Sequence, residues 1–214
     1  MDLDALRQEY ETTPLDVGDL APTPIPQIER WVARWLEVAP NEPTAIVLAT
    51  ADGSGRPTAR NVLLRGLDER GLVFFTSYQS HKARDLAANP QATMLFSWVP
   101  LLRQVHVVGP VARAAPAESD AYWATRPRGS QIAAWASVQS SVLPDRAALE
   151  ARVAEATARF EGGDIPRPDD WGGLRLTPDT VELWQGRPNR LHDRLRYQRP
   201  PGQPDAWEIV RLSP

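Results

Sequence analysis

The sequence predicts an α+β domain built on a mostly antiparallel β-barrel with flanking helices. Three observations point there. Between Thr44 and Ala112, five short runs rich in β-branched and aromatic residues follow one another. Turn residues separate several of them and only Ser80–Ala88 leaves room for a helix, so hairpins dominate the connections. Helical spacing then fills Pro116 to Phe160 before strands return, which keeps strands at both ends of one domain.

Taken in order, residues 1–25 are polar and proline-bearing and are expected to form a mobile N-terminal arm or lid, with 26–214 as a single domain. Ile28 to Val38 has helical spacing, placing Trp31, Trp35 and Val38 on one face. The strand runs are Thr44–Thr50, Thr58–Arg65, Leu72–Ser77, Ala92–Trp98 and Gln104–Ala112, with turns at Asp52-Gly53-Ser54-Gly55 and Asp68 to Gly71. Ser80 suits the N-cap of the helix that follows it. Helices are expected over Pro116–Arg126, Ser130–Gln139 and Asp145–Phe160. Gly173–Leu176, Val181–Trp184 and Trp207–Arg211 return as strands.

The 214 residues suffice for one domain with a sizeable core, and 42% hydrophobic with 24% charged residues is ordinary for a globular chain. A net charge of −3 argues against a nucleic-acid surface, and no apolar run is long enough to span a membrane. The chain has no cysteine, which excludes disulfides, thiolate metal sites and a cysteine nucleophile and fits the cytoplasm. Met1 to Tyr10 is charged and lacks an apolar core, so no signal peptide is expected. Three scattered histidines make a zinc site improbable. No dinucleotide, Walker, zinc-protease or serine-elbow motif occurs.

The segment from Trp184 to Arg194 gathers Arg187, Arg190, His192, Asp193 and Arg194 behind the apolar run Val181 to Trp184. It is either a solvated turn around Gly186 and Pro188 or a face for an anionic, ring-bearing ligand. Lys82 is the only lysine among 24 basic residues and lies in the first turn of a helix, where a cation opposes the dipole and a bound anion would reverse the sign. It is a solvated lysine or part of an anion site. Arg60 and Arg65 are five apart, on opposite faces of a regular strand, so both are functional only if they meet different groups or a bulge unites them. Tyr122 and Arg126 share a helix face that Pro127 ends, and Ser130 is placed to cap the next helix. That arrangement is either a phosphate cradle or a structural corner. Gln139-Ser140 is capping chemistry or a ligand contact, and Gln104 is a satisfied core amide or a ligand contact.

In register along nearly the whole chain, these segments resemble the pyridoxamine/pyridoxine 5′-phosphate oxidase family. The matching pieces are Leu-Arg-Gln-Glu-Tyr at 6–10, Arg-Asn-Val-Leu-Leu-Arg at 60–65, Phe-Phe-Thr-Ser at 74–77 and Ser-His-Lys at 80–82. Arg-Gln-Val at 103–105, Arg-Pro-Arg-Gly-Ser-Gln-Ile at 126–132 and Ala-Trp-Ala-Ser-Val-Gln-Ser at 134–140 follow. Trp-Gly-Gly at 171–173 and the Trp184 to Arg194 segment complete the set.

The resemblance implies an FMN-binding split β-barrel, a homodimer with its sites at the interface, and no metal. It implies FMN contacts from Arg60, Asn61, Val62, Leu63, Leu64, Arg65, Phe75, Thr76, His81, Lys82, Gln104, Gln139, Ser140, Trp184 and Arg194. Substrate contacts would be Arg65, Tyr122, Arg126 and Ser130 at a phosphate, Arg190 and His192 at the pyridine ring as the catalytic pair, and Arg7 and Tyr10 from the covering arm. The implied reaction converts pyridoxamine or pyridoxine 5′-phosphate to pyridoxal 5′-phosphate. Hydride passes from substrate C4′ to flavin N5, and O2 reoxidises the flavin to give H2O2.

Four positions depart from the family pattern: Arg65 for a usual lysine, His81 for an arginine, Phe75 for a tyrosine and Ala133 for a glycine. Two other readings compete. One is an FMN oxidase of a non-phosphorylated, phenazine-type metabolite. The other is a non-catalytic flavin- or pyridoxal-phosphate-binding protein.

Overall fold

The computed structural model describes residues 10–39 and 41–214, so Arg7 lies outside the described residues. In chain order the elements are α1 (Pro24–Leu36), β1 (Ala45–Ala51), β2 (Pro57–Leu63), β3 (Gly66–Asp68), β4 (Gly71–Ser77), α2 (His81–Ala88), β5 (Gln91–Trp98) and β6 (Arg103–Arg113). Then come α3 (Pro116–Thr125), α4 (Arg128–Ala136), α5 (Arg146–Arg159), β7 (Trp171–Leu176), β8 (Thr180–Gln185), β9 (Asp193–Gln198) and β10 (Glu208–Arg211). The ten strands make one antiparallel sheet in the order β10-β9-β8-β6-β5-β1-β2, with β7, β4 and β3 branching from β6. The expected antiparallel split barrel with flanking helices is borne out. No helix among the described residues is long and apolar enough to cross a membrane.

The branch arises inside β6. Its first part pairs with β8 from Arg103 to Val108, and its last part pairs with β7 from Val111 to Arg113. Between them Pro110 has no N–H to offer a ladder. Gly109 leaves room for the β7–β8 connection, because a Cβ there would strike the Thr177 carbonyl. The partner strand therefore changes where the sequence stops supporting either ladder.

The barrel closes only in part. β2 ends at Leu63, after which Leu64 N–H donates to the Thr44 carbonyl (2.8 Å) and Arg65 N–H to the Val73 carbonyl (2.8 Å). This second bond ties the end of β2 to β4 and leaves a seam between the two strands. It also answers the Arg60–Arg65 question, since Arg65 lies beyond the strand and the two-residue period no longer governs it.

Two cores hold this frame. The larger fills the barrel with Ile46, Leu48, Phe74, Met94, Val105, Leu183 and Leu195, and α1 lays Ile28 and Trp31 on it. The smaller joins α3, α4 and α5 to β7 through Trp123, Ile132, Ala136, Ala156, Ile165 and Trp171. β4 runs between them, and its residues are buried on both faces except for Phe75, as its continuous apolar run requires. β3 and β9 were not expected as strands. β3 is three residues long, and β9 alternates Leu195 and Tyr197 with charged residues that dominate its composition.

A ring of four charges pins α3 to the barrel. Arg175 on β7 donates to Asp68 and Glu118 (both 2.7 Å), and Arg70 donates to the same two carboxylates (2.8 and 2.7 Å). The Arg175 side chain is only 12% exposed. Arg175→Met should therefore cost roughly 1–3 kcal/mol, lowering the thermal midpoint by several degrees. Arg146→Ala breaks an exposed i,i+4 pair with Glu150 and should move it by no more than about 2 °C. Equal shifts in a thermal melt would show that the ring does not clamp α3.

Candidate active site

A cavity of about 180 Å³ opens at the seam. Asn61, Val62, Leu63 and Arg65 wall it from β2, and Phe75 and Thr76 from β4, with Lys82, Tyr122, Arg126 and Gln139 around them. Leu64, between two of these residues, turns into the core instead. Phe75 is held by stacking on Tyr122 (4.0 Å between centroids) and on Trp171 (5.5 Å).

Lys82 lies at one end of the cavity. Its Nζ donates to Thr76 Oγ1 (3.1 Å) and Gln139 Oε1 (3.2 Å). Burial, reinforced by the charge of Arg60, pushes its ammonium down to about 8. Ser80 takes the N-cap position with extended dihedrals but makes no cap bond. It is fully buried, with its hydroxyl 3.4 Å from Thr76 Oγ1. Arg60 reaches under α2, donating to Thr50 Oγ1 (2.7 Å), the Leu48 carbonyl (3.3 Å) and Thr58 Oγ1. His81 is exposed, with Nδ1 3.6 Å from Asp85 Oδ2, and its N–H donates to Ser140 Oγ (3.2 Å). Ser140 has φ of 70°, a strained value for a non-glycine residue, as it brings the loop after α4 to the start of α2.

Tyr122, Arg126 and Ser130 come together, with two departures from the expected local structure. α3 stops at Thr125, and Arg126 is extended (φ −71°, ψ 138°), because a residue before proline is driven from the helical region. α4 begins at Arg128 with Pro127 at the N-cap, so Ser130 lies inside the first turn and does not cap it. The Pro127 carbonyl accepts from Ser130 N–H (2.8 Å) and Gln131 N–H (3.1 Å), which starts the helix before Ser130. Ser130 serves through its backbone, accepting from Arg126 Nη2 (2.7 Å). Arg126 lies over Trp171 (4.7 Å), and its buried Nε has no partner. Burial lowers the Arg126 pKa most; the Tyr122 hydroxyl raises it and the charge of Arg65 lowers it further. Two guanidinium groups thus repel each other beside a cavity and an unsatisfied donor.

The remaining expected residues form another group at β6, β8 and β9. Gln104, Trp184 and Arg194 are cross-strand neighbours, and Gln104 and Trp184 line a cavity of about 70 Å³ with Tyr10. Trp184 and Tyr10 lie against His192 (4.6 and 5.8 Å), and Arg190 lies over Tyr10 (5.7 Å). Gly186 allows this approach, since a Cβ there would sit 2.9 Å from the Tyr10 ring. The turn it opens holds Asn189 and Arg190 at left-handed φ values of 55° and 63°. Arg187 N–H donates to His192 Nδ1 (3.1 Å), leaving Nε2 as the donor of the neutral ring. Burial, then the charge of Arg190, holds this imidazole below its ordinary range. Arg194 is gripped by Glu182 (2.7 and 3.1 Å) and donates to the Ser213 carbonyl (2.8 Å).

The two groups do not meet within one chain. The paired residues Asn61, Val47, Leu95, His106 and Glu182 cross the sheet, so β2 and β8 are four strand spacings apart, about 19 Å along its surface. Among the described residues no hydrogen bond, ion pair or ring contact joins them. Sequence reasoning missed Thr50, Thr58, Asp85 and Glu182, which hold the site arginines. Only Asp85 left a signal, four residues after His81 on one helix face.

Residues 34–160 match the family model described as pyridoxamine 5′-phosphate oxidase, and residues 171–214 match the pyridoxine 5′-phosphate oxidase C-terminal dimerisation region. Among solved structures, PhzG from Burkholderia lata 383 in complex with tetrahydrophenazine-1-carboxylic acid is similar, with a TM-score of 0.87 and 33% identity, covering 97% of this chain and 100% of that one. A pyridoxine/pyridoxamine 5′-phosphate oxidase of Paraburkholderia phymatum is 53% identical over 209 residues, 98% of this chain and 97% of its own. Pyridoxine/pyridoxamine 5′-phosphate oxidase 1 of Ralstonia nicotianae is 54% identical over 210 residues, with the same two coverages. Likeness of this degree across both segments shows that the chain belongs to the pyridoxine/pyridoxamine 5′-phosphate oxidase family of enzymes.

Proposed function

We propose that this protein is an FMN-dependent oxidase that converts pyridoxamine or pyridoxine 5′-phosphate to pyridoxal 5′-phosphate with O2, releasing H2O2. The observation that carries the substrate reading is the pairing of Arg65 with Arg126 beside the unsatisfied Arg126 Nε. A phosphate between them would remove their repulsion. The donor set at the other end of the cavity also suits FMN. Lys82, Arg60, Thr76, Gln139 and Ser140 supply two cations, hydroxyls and an amide at the head of α2.

The C-terminal match to a dimerisation region supports a homodimer in which Gln104, Trp184, Arg190, His192 and Arg194 of one protomer complete the seam of its partner. Of the expected covering arm, Tyr10 lies against the ring-facing group, whereas Leu15, Ala21 and Ile25 are buried and belong to the packed body of the domain. The absence of cysteine supports a cytoplasmic setting.

When bound, FMN supplies the two-electron acceptor that takes hydride from substrate C4′ and passes electrons to dioxygen. The chain's residues supply position and charge. Arg65, Arg126 and Tyr122 anchor the phosphate, and the Ser130 carbonyl and Trp171 hold Arg126 in line. His192, neutral and with Nε2 as donor, orients the pyridine ring beside Arg190. No side chain acts as a covalent nucleophile.

The likeness to PhzG favours a second reading, oxidation of a non-phosphorylated aromatic metabolite. Tyr122 and the paired arginines weigh against it, since such a substrate has no phosphate for them to hold. The deciding experiment records the visible spectrum of the purified protein and then adds pyridoxamine 5′-phosphate in air. A yellow protein forming aldehyde and peroxide is expected. A colourless protein that FMN cannot reconstitute would sink the flavin reading, and a yellow protein inert to the phosphorylated substrate would favour the second.

Two variants probe the roles separately. Arg190→Ala should keep FMN but lose about 100-fold in turnover. Its His192, freed of a neighbouring positive charge, should titrate at higher pH than in the parent by NMR. Loss of flavin would assign Arg190 to the cofactor instead. For Lys82, the folded pKa lies below its ordinary 10.5, and a bound anion favours the protonated form. FMN affinity should therefore weaken as pH rises through about 8. In fluorescence titrations Lys82→Met should bind FMN about tenfold more weakly at neutral pH and show no such step. A step that persists in the variant would assign it to another group.

A further inference from the structure

Asp85 takes no part in the chemistry above, yet it is a charged side chain only 4% exposed. It lies on the inner face of α2, where one oxygen collects everything around it. Oδ2 accepts from Thr50 Oγ1 (2.7 Å) and Thr58 Oγ1 (2.9 Å) and stands 3.7 Å from Arg60 Nη2 and 3.6 Å from His81 Nδ1. Thr50 and Thr58 are direct partners in the β1–β2 register. Each hydroxyl gives its single proton to Asp85, so its lone pairs are left for Arg60, whose two terminal nitrogens donate to them. The carboxylate thereby sets the direction of both hydroxyls, and they set the guanidinium.

Charge points the same way. Arg60, His81 and Lys82 converge here, and Arg60 already opposes the charge on Lys82. Burial raises the Asp85 carboxyl, but hydrogen bonds from Thr50 and Thr58 and the charges of His81 and Arg60 outweigh it, and the group stays below the ordinary carboxylate range. It is therefore an anion at neutral pH, buried beside the Arg60 guanidinium, whose charge opposes that of Lys82.

We propose that Asp85 is the positioning residue of the cofactor's phosphate cradle. Through Thr50 and Thr58 it orients Arg60, and by its charge it offsets that guanidinium so that Arg60 and Lys82 can face one phosphate. This rests on the flavin reading and names the end of the seam that takes the phosphate. Asp85 itself touches no ligand.

The test compares FMN with riboflavin, which lacks the phosphate, by flavin-fluorescence titration of the dimeric protein and its variants. Asp85→Asn keeps size and hydrogen-bonding capacity but loses the charge. It should weaken FMN about tenfold or more while moving riboflavin by less than about twofold. Unchanged FMN affinity, or equal weakening of both flavins, overturns the proposal. Should riboflavin bind the parent too weakly to titrate, inorganic phosphate competing with FMN replaces it. Its inhibition constant should rise by the same factor, and an unchanged constant overturns the proposal. If Asp85→Asn does not fold, Thr58→Ser and Thr58→Val take its place. The serine variant should keep FMN affinity and the valine variant should lose it for FMN alone; equal loss for both flavins overturns the proposal. A parent protein that binds no FMN overturns the flavin reading and this proposal together, whereas a parent that binds FMN and an equally tight Asp85→Asn overturn this proposal alone.

Discussion

The seam between β2 and β4, on which the candidate site depends, is tied at one end by a backbone hydrogen bond from Arg65 N–H to the Val73 carbonyl. A curled antiparallel sheet must either close completely or manage the edges it leaves open. Here β2 meets β4 at a single end, so the strands part and their edges line a cavity. Had the ladder continued toward Asn61 and Phe75, backbone groups would fill the space that side chains now surround. The split is the condition for the site.

Around that seam the chain concentrates positive charge that its overall balance of −3 conceals. Arg60, Arg65, Lys82 and Arg126 all approach it, and burial works against the charge on Arg60, Lys82 and Arg126. Such a cluster persists only where something holds each group in place. Trp171 and the Ser130 carbonyl hold Arg126, while Asp85 and its two threonines hold Arg60. The ring of Asp68, Arg70, Glu118 and Arg175 holds the helix that carries Tyr122. The restraint is local and specific, and it leaves Arg65 and Arg126 lining the same cavity.

The two groups of expected ligands lie on strands β2 and β8, separated by the breadth of the sheet. The strand order produces this separation, since β8 and β9 lie beyond β6, with β5 and β1 between them and β2. The turn after Gly186 gathers Arg190 and His192 around Tyr10, with Trp184 against the His192 ring.

Much of this was legible in the chain. β1, β5 and β6 followed from short runs rich in β-branched and aromatic residues, α1 from the spacing of Trp31 and Trp35, and the sheet's antiparallel character from connections too short for crossovers. The local identities of the site were legible too, because Lys82, Arg126 and the Trp184 to Arg194 segment are unusual where they stand. Hydrophobic period, turn chemistry and residue type are properties of neighbours along the chain, and a sequence displays them directly. Register and helix docking depend on contacts between distant segments. Only the tertiary structure could free Arg65 from its strand, or bring Thr50, Thr58 and Arg60 to one oxygen of Asp85. Each of those outcomes was decided by which surfaces the two cores brought together.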